Sequence, residues 1–339
     1  MEYFENWGSK ENPIRQSDLS SLYGGMFACP KRFAMAKIYP IKRETSSHKI
    51  VYGELVHKVI ETFLRFNEET DISDLAEEWE EFNKIKINYG KDKVDEVNER
   101  YQEMIDSFIN SKFALSIGKR IVDVERAFMV EVGGIWVAGT MDLVIKGKGK
   151  GNLVIIDWKT GATVPSQFEL DHGYQTVMYC HALEFGEFFL KPEYLGNNEN
   201  YYESYKQTKQ KNRYKKAPQQ FIYAYLKEFI PAKRNSERQC RHRSTESMAN
   251  ENGVIKIEKD QNPGPIFYHA NPGGKDLDRL IYSLRVAQIY AKNMVFPESI
   301  SSKCERCLYQ QKCLDIGGFD HGEQEDIWET MQELGIEPE

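Results

Sequence analysis

Residues 121–160 read IVDVERAFMVEVGGIWVAGTMDLVIKGKGKGNLVIIDWKT. Three apolar, β-branched runs are separated by Gly133-Gly134 and by a glycine–lysine loop, the pattern of three consecutive antiparallel strands. A two-residue hairpin at Gly133-Gly134 sets Glu125 opposite Asp142. A loop symmetric about Gly149 and Lys150 then sets Asp142 opposite Asp157. Directly opposed residues share a sheet face with Cβ atoms about 4.5–5.5 Å apart. Three carboxylates therefore line up across three strands, and Lys159, two residues beyond Asp157, projects from the same face.

Such a row is unfavourable alone, because opposed like charges destabilise a sheet and raise one another's pKa. The runs MDLVI and LVII are apolar on both faces, as in a central sheet covered on both sides, so a charge inside them needs a reason. A hard divalent cation removes the conflict. Carboxylates that leave further positions for water and phosphate suit Mg²⁺ or Mn²⁺.

Outward from this core, Ser17 to about Tyr39 reads as a helix interrupted by Gly24-Gly25 and Pro30. From His48 to about Leu115 the period is helical. A helix is expected near Asp171–Glu187, a polar loop over 191–220, a strand at FIYAYLKEF, and a long helix over Leu277–Val295. The 339 residues are 40% hydrophobic and 29% charged, which suits a folded core. No apolar run is long enough to span a membrane, and MEYFENWGSKENP carries no basic, apolar leader. A cytoplasmic location is expected, the host cytoplasm if the chain is phage-encoded.

The net charge of -7 by itself argues against nucleic acid as a partner. The charge is segregated, however. Lys206 to Arg243 holds twelve Lys or Arg against Glu228 and Glu237, while Gly318 to Glu339 holds eight acids and no Lys or Arg. In the basic stretch, Tyr205, Lys209, Lys211, Arg213, Lys215 and Lys216 interleave rings and cations, a composition suited to single-stranded DNA. A solvated loop explains it equally. The acidic tail, with Ile327, Met331 and Leu334 on one side, reads as a packed helix or a docking segment for a protein partner.

Cys304-x2-Cys307-x5-Cys313 lies near the end of the sequence and Cys29, in MFACPKRFAM, near its beginning. Without an export signal, these cysteines point to metal or redox chemistry in preference to disulfides. Spacing alone leaves zinc and iron–sulfur open.

GTMDLVI followed by IIDWKTG resembles the core of the PD-(D/E)xK nuclease superfamily, in particular its RecB-like branch. His57 in GELVHKVIE resembles the upstream histidine of that branch, Gln175 and Tyr179 in QTVMY its Q-x-x-x-Y motif, and Glu125 an acid often found before the first aspartate. A lone histidine beside an apolar stripe, or a Gln/Tyr pair on a helix, is ordinarily structural; here all occur in one order. The resemblance implies an α/β, restriction-endonuclease-like fold, a central mixed β-sheet flanked by helices, and Mg²⁺- or Mn²⁺-dependent hydrolysis of DNA. It implies that His57, Asp142, Asp157 and the Trp158 carbonyl hold the metal, that Lys159 orients water, that Gln175 and Tyr179 position substrate, and that Glu125 assists.

One cysteine early and C-x2-C-x5-C late is similar to the iron–sulfur nucleases of the AddB and CRISPR-associated type. That implies a [4Fe–4S] cluster on Cys29, Cys304, Cys307 and Cys313 as a structural staple. The expected organisation is one nuclease domain over 1–316, comprising a helical segment (60–115), a catalytic core (121–185), a basic insertion (190–270) and a C-terminal helix with the cysteine cluster (277–316). An acidic tail covers 317–339. The expected activity is a single-stranded DNA exonuclease in recombination, repair or phage/CRISPR DNA processing, and a closed homo-oligomer would suit processive digestion. The alternatives are a catalytically silent nucleic-acid-binding subunit or a zinc-stapled interaction protein.

Overall fold

The computed structural model describes residues 2–23, 28–39, 44–147, 149, 151–161, 165–195, 200–210, 214–218, 220–226, 243–244, 266–297, 304, 307, 309 and 313. Its strands are β1 (Ile14–Arg15), β2 (Thr45–Ser47), β3 (Lys86–Asn88), β4 (Ile121–Val132), β5 (Ile135–Lys146), β6 (Leu153–Lys159), β7 (Glu187–Phe189), β8 (Gln220–Tyr225), β9 (Arg243–Ser244) and β10 (Ile266–Ala270). Its α-helices are α1 (Gln16–Tyr23), α2 (Pro30–Ile38), α3 (His48–Phe66), α4 (Ile72–Asn83), α5 (Val94–Ile109), α6 (Lys112–Ile117), α7 (Gln167–His172), α8 (Tyr174–Phe185), α9 (Tyr201–Thr208) and α10 (Gly274–Asn293).

The main sheet runs β7-β4-β5-β6-β8-β10-β9, with β1 added parallel to β5. It is mixed: β4–β5 and β5–β6 are antiparallel, and β6–β8 is parallel. Gly133 and Gly134, at φ 59° and 87°, close the β4–β5 hairpin in the left-handed conformation that two-residue hairpin turns require. The expected register follows, with Arg126 opposite Met141 and Val124 opposite Leu143.

Helices cover both faces. Leu19, Met178, Leu183, Leu280 and Leu284 pack with Phe128, Val130 and Ile155 on one side. Val56, Ile60, Ile105, Phe108 and Phe113 pack with Leu143, Ile145, Ile156 and Trp158 on the other. This is the α/β fold expected, and it explains why MDLVI and LVII are apolar on both faces.

Two sequence expectations change. The predicted polar loop over 191–220 contains α9, whose Ser204 and Tyr205 are buried. The stretch 190–270 holds β8, the strand expected at FIYAYLKEF, and also β10, for which no strand was expected; both join the central sheet. Lys211, Arg213 and the tail 317–339 lie outside the described residues. Among the described residues no helix is long and apolar enough to cross a membrane.

Gly139, in the GTMD run, sits where sheet and helix approach closely. A Cβ there would lie 2.9 Å from Phe128 Cζ and 3.4 Å from Tyr179 Cε1. Gly139→Ala is expected to cost about 1–3 kcal/mol by overpacking. The measurement is urea unfolding, with a lowered midpoint at unchanged slope.

Candidate active site

Along β4 and β5 the alternation of faces reverses at one level. Phe128, Val130 and Val132 join the α1–α8–α10 side, whereas Val124, of the same parity, joins the α3–α6 side. On β5, Val137 and Met141 take the first side and Leu143 and Ile145 the second. Glu125, at φ +45°, marks the reversal on β4. The β5–β6 ladder ends at Leu143↔Ile156, so Asp142 and Asp157 occupy the next level, where the strands part. Asp142 Oδ2 spans the opening by accepting the Trp158 N–H at 2.7 Å. In an extended strand the N–H and C=O of one residue point the same way, so the Trp158 carbonyl also faces this opening.

Into the opening comes His57 from α3. Its Nδ1 lies 3.6 Å from Asp142 Oδ2 and 3.7 Å from Glu125 Oε1. Ligand atoms of His57, Glu125 and Asp142 all lie within 4.8 Å of one another, the group among the described residues with spacing to hold a metal ion. Glu125, the weakest match by sequence, is therefore a full member of the set. Asp157, nearly fully buried, belongs to an adjoining network from the opposite face. Lys159 Nζ lies 2.5 Å from Asp157 Oδ2. Gln175 on α8 joins the pieces: its carbonyl accepts from Lys159 at 3.1 Å, and its NH₂ donates to Asp157 Oδ1 at 2.6 Å and Tyr179 Oη at 3.3 Å. Gln175 and Tyr179 thus face inward, Tyr179 with its ring against Phe128. These hydrogen bonds tie Gln175 to Asp157 and Lys159.

The electrostatics are those of a cation site. Burial, then the Asp157 charge, pushes Asp142 up to about 8. Burial alone would lower His57, but the Asp142 carboxylate and then Glu125 push it up to about 9. Glu125 stays below its usual range despite burial, because His57 and Lys191 face it. Lys191 and Glu61 are site residues that the sequence reading missed. Glu61 was legible in principle, one helical turn after His57 on α3. Lys191 follows β7, whose register no turn encodes.

A cleft of about 1250 Å³ opens over this group, lined also by Lys49, Lys58, Trp79, Phe82 and Tyr194. The tyrosine expected to stack on bases does not line it. Tyr205 is buried with Ala127, Met129, Ala138 and Phe189, and Lys209 lies 3.5 Å from Glu187. Lys215 and Lys216 remain exposed. At the far end of the chain, Cys29 Sγ accepts the Arg32 N–H at 3.5 Å at the start of α2. The neighbouring Lys31 donates its backbone N–H to Pro297 O and its Nζ to Cys313 O, so the two chain ends meet there. All four cysteines are free thiols of intermediate exposure, and their sulfurs do not form a group within the 4.8 Å spacing.

Without metal, the site predicts a pH dependence. The Asp142 carboxyl keeps its proton in the folded state up to about pH 8 against an ordinary 3.8, and His57 keeps its own to about 9 against 6.5. In both cases the folded state binds more protons than the unfolded one, so stability falls as pH rises. In EDTA, the melting temperature is expected to drop between about pH 6.5 and 9, and Asp142→Asn to flatten much of that slope. A flat wild-type profile would contradict these assignments.

No curated protein matches this chain. Among solved structures, the crystal structure of SSO0001 aligns with 84% of this chain and 92% of its own at 11% identity, with a TM-score of 0.28, too low to bear on the fold. The family model described as the PD-(D/E)XK nuclease superfamily matches residues 26–314, nearly the whole described structure. A match of that extent shows the family: the chain belongs to the PD-(D/E)XK nuclease superfamily.

Proposed function

We propose that this chain is a Mg²⁺- or Mn²⁺-dependent deoxyribonuclease that degrades single-stranded DNA from an end. The observation that carries the reading is the convergence of His57, Glu125 and Asp142 on an open cleft, with the buried Asp157 and its partner Lys159 on the adjoining strand. Superfamily members are generally nucleases that use divalent metals, and the donor set fits: one imidazole and hard carboxylate oxygens whose mutual repulsion a cation relieves. His57, Glu125, Asp142, Asp157 and the Trp158 carbonyl would hold the ion. When bound, it supplies Lewis acidity at the scissile phosphate and lowers the pKa of water.

The chain's own groups do the rest. Lys159, one-third exposed and paired with Asp157, would orient the attacking water and offset charge on the pentacovalent phosphate. Gln175 holds Lys159 and Asp157 in register through two hydrogen bonds and donates a third to Tyr179. Trp79 and Phe82 on α4, the latter 81% exposed, give the cleft an aromatic wall suited to unpaired bases. Lys49 and Lys58 on α3 supply cations beside it.

We also propose a [4Fe–4S] cluster on Cys29, Cys304, Cys307 and Cys313, serving as a staple, since phosphodiester hydrolysis moves no electrons. The meeting of Cys29 and Cys313 at the junction of the chain ends supports it, as does the buried Lys31, a counter-charge for a thiolate-ligated cluster. This part of the reading predicts a brown preparation with a thiolate-to-iron absorption band that is lost in Cys307→Ala; a colourless zinc protein would refute it.

Release of nucleotides from linear single-stranded DNA with Mn²⁺ tests the activity. Asp157→Asn and Lys159→Met are each expected to lower the rate at least about a hundredfold. EDTA should abolish it. Variants as active as wild type would end the site assignment, and equal cutting of circular DNA would replace exonuclease with endonuclease.

A further inference from the structure

The two oxygens of Glu125 face different partners. Oε1 lies 3.7 Å from His57 Nδ1, on the side where the ligand atoms of His57, Glu125 and Asp142 converge. Oε2 lies 3.0 Å from Lys191 Nζ. The antiparallel β4–β7 register pairs Ala127 with Phe189 and Met129 with Glu187; continued by two residues, it brings Lys191 opposite Glu125. The row of acids across β4, β5 and β6 therefore ends in a cation on its open edge.

Lys191 is itself held. Its ammonium lies 3.2 Å from Glu193 Oε2 and 4.0 Å from Glu61 Oε2. Glu61 pairs with Arg65 Nε at 2.9 Å, and Arg65 Nη2 donates to the Val124 carbonyl at 2.6 Å. That carbonyl immediately precedes the positive-φ backbone of Glu125. One cation thus fixes the outer carboxylate oxygen of Glu125 and another fixes its backbone, with Glu61 bridging them. A buried carboxylate whose far oxygen is already bound presents its near oxygen with little rotamer freedom left to lose.

We propose that Lys191 is a positioning residue for the metal centre: it binds Oε2 of Glu125 so that Oε1 faces the cation pocket, with Glu61 and Arg65 bracing the pair. The proposal rests on the metal-dependent reading above but is separable from it. The opposite role is that Lys191 competes for the place of a cation, and it predicts the opposite result.

The test is Mn²⁺ affinity of the full chain, by calorimetry and by the EPR signal of free Mn²⁺. Lys191→Met is expected to weaken binding about 10- to 100-fold, the usual effect of losing an outer-sphere partner. Lys191→Arg should retain most of the affinity. In a Glu125→Gln background, Lys191→Met should add no further loss, because it acts through that carboxylate. Unchanged or tighter binding in Lys191→Met, or an equal loss in both backgrounds, would overturn the proposal. If Lys191→Met fails to fold, Lys191→Gln in both backgrounds gives the same comparison. Wild-type binding that is absent or insensitive to Asp142→Ala would instead overturn the metal reading itself.

Discussion

Burying like charges side by side governs this structure. Glu125, Asp142 and Asp157 stand at one level of a sheet covered by helices on both faces, where carboxylates are ordinarily excluded. Opposed carboxylates repel, and low polarity strengthens that repulsion. The chain tolerates the row through adjacent cations and donors: His57 from α3, Lys159 on β6, Lys191 after β7, and the Trp158 N–H. A cation at the centre of the group would relieve the repulsion that remains.

The backbone makes room by breaking its own regularity. A sheet that kept alternation and pairing throughout would bury the acids against apolar layers. Instead the face pattern reverses at Glu125 and Asp142, and the β5–β6 ladder stops one level short of the aspartates. Residues from opposite faces then meet the acids at this level, His57 from the α3 side beside Asp142 and Gln175 from the α8 side on Asp157. The left-handed conformation of Glu125 is an unfavourable backbone state for a non-glycine residue, and the Arg65 guanidinium on the Val124 carbonyl helps to hold it.

The division of labour among carboxylates follows from their neighbours. Glu125 and Asp142 share an imidazole and converge, whereas Asp157 is tied by Lys159 and Gln175. Gln175 has both ends of its amide engaged with Asp157, Lys159 and Tyr179. Likewise the tyrosine–lysine alternation near 201–216, which composition alone assigns to DNA, goes partly to packing: Tyr205 and Tyr214 are core residues.

The three central strands, their register and the row of acids were legible in residues 121–160 because local rules determine them. A glycine turn sets pairing, and a period of two sets the face. The segment at 190–270 was harder, since strands joined in parallel through helices carry no turn from which register can be counted. Hence β8 beside β6, and Lys191 opposite Glu125, were decided only by tertiary packing. So were the places of Glu125, a loose match that lies with His57 and Asp142, and of Tyr205, whose ring lies in the core. The sequence by itself determined the three central strands and the row of acids they carry. Only the folded chain decided which of them meet, because side chains distant in sequence are brought together by the burial of apolar faces that each segment cannot bury alone.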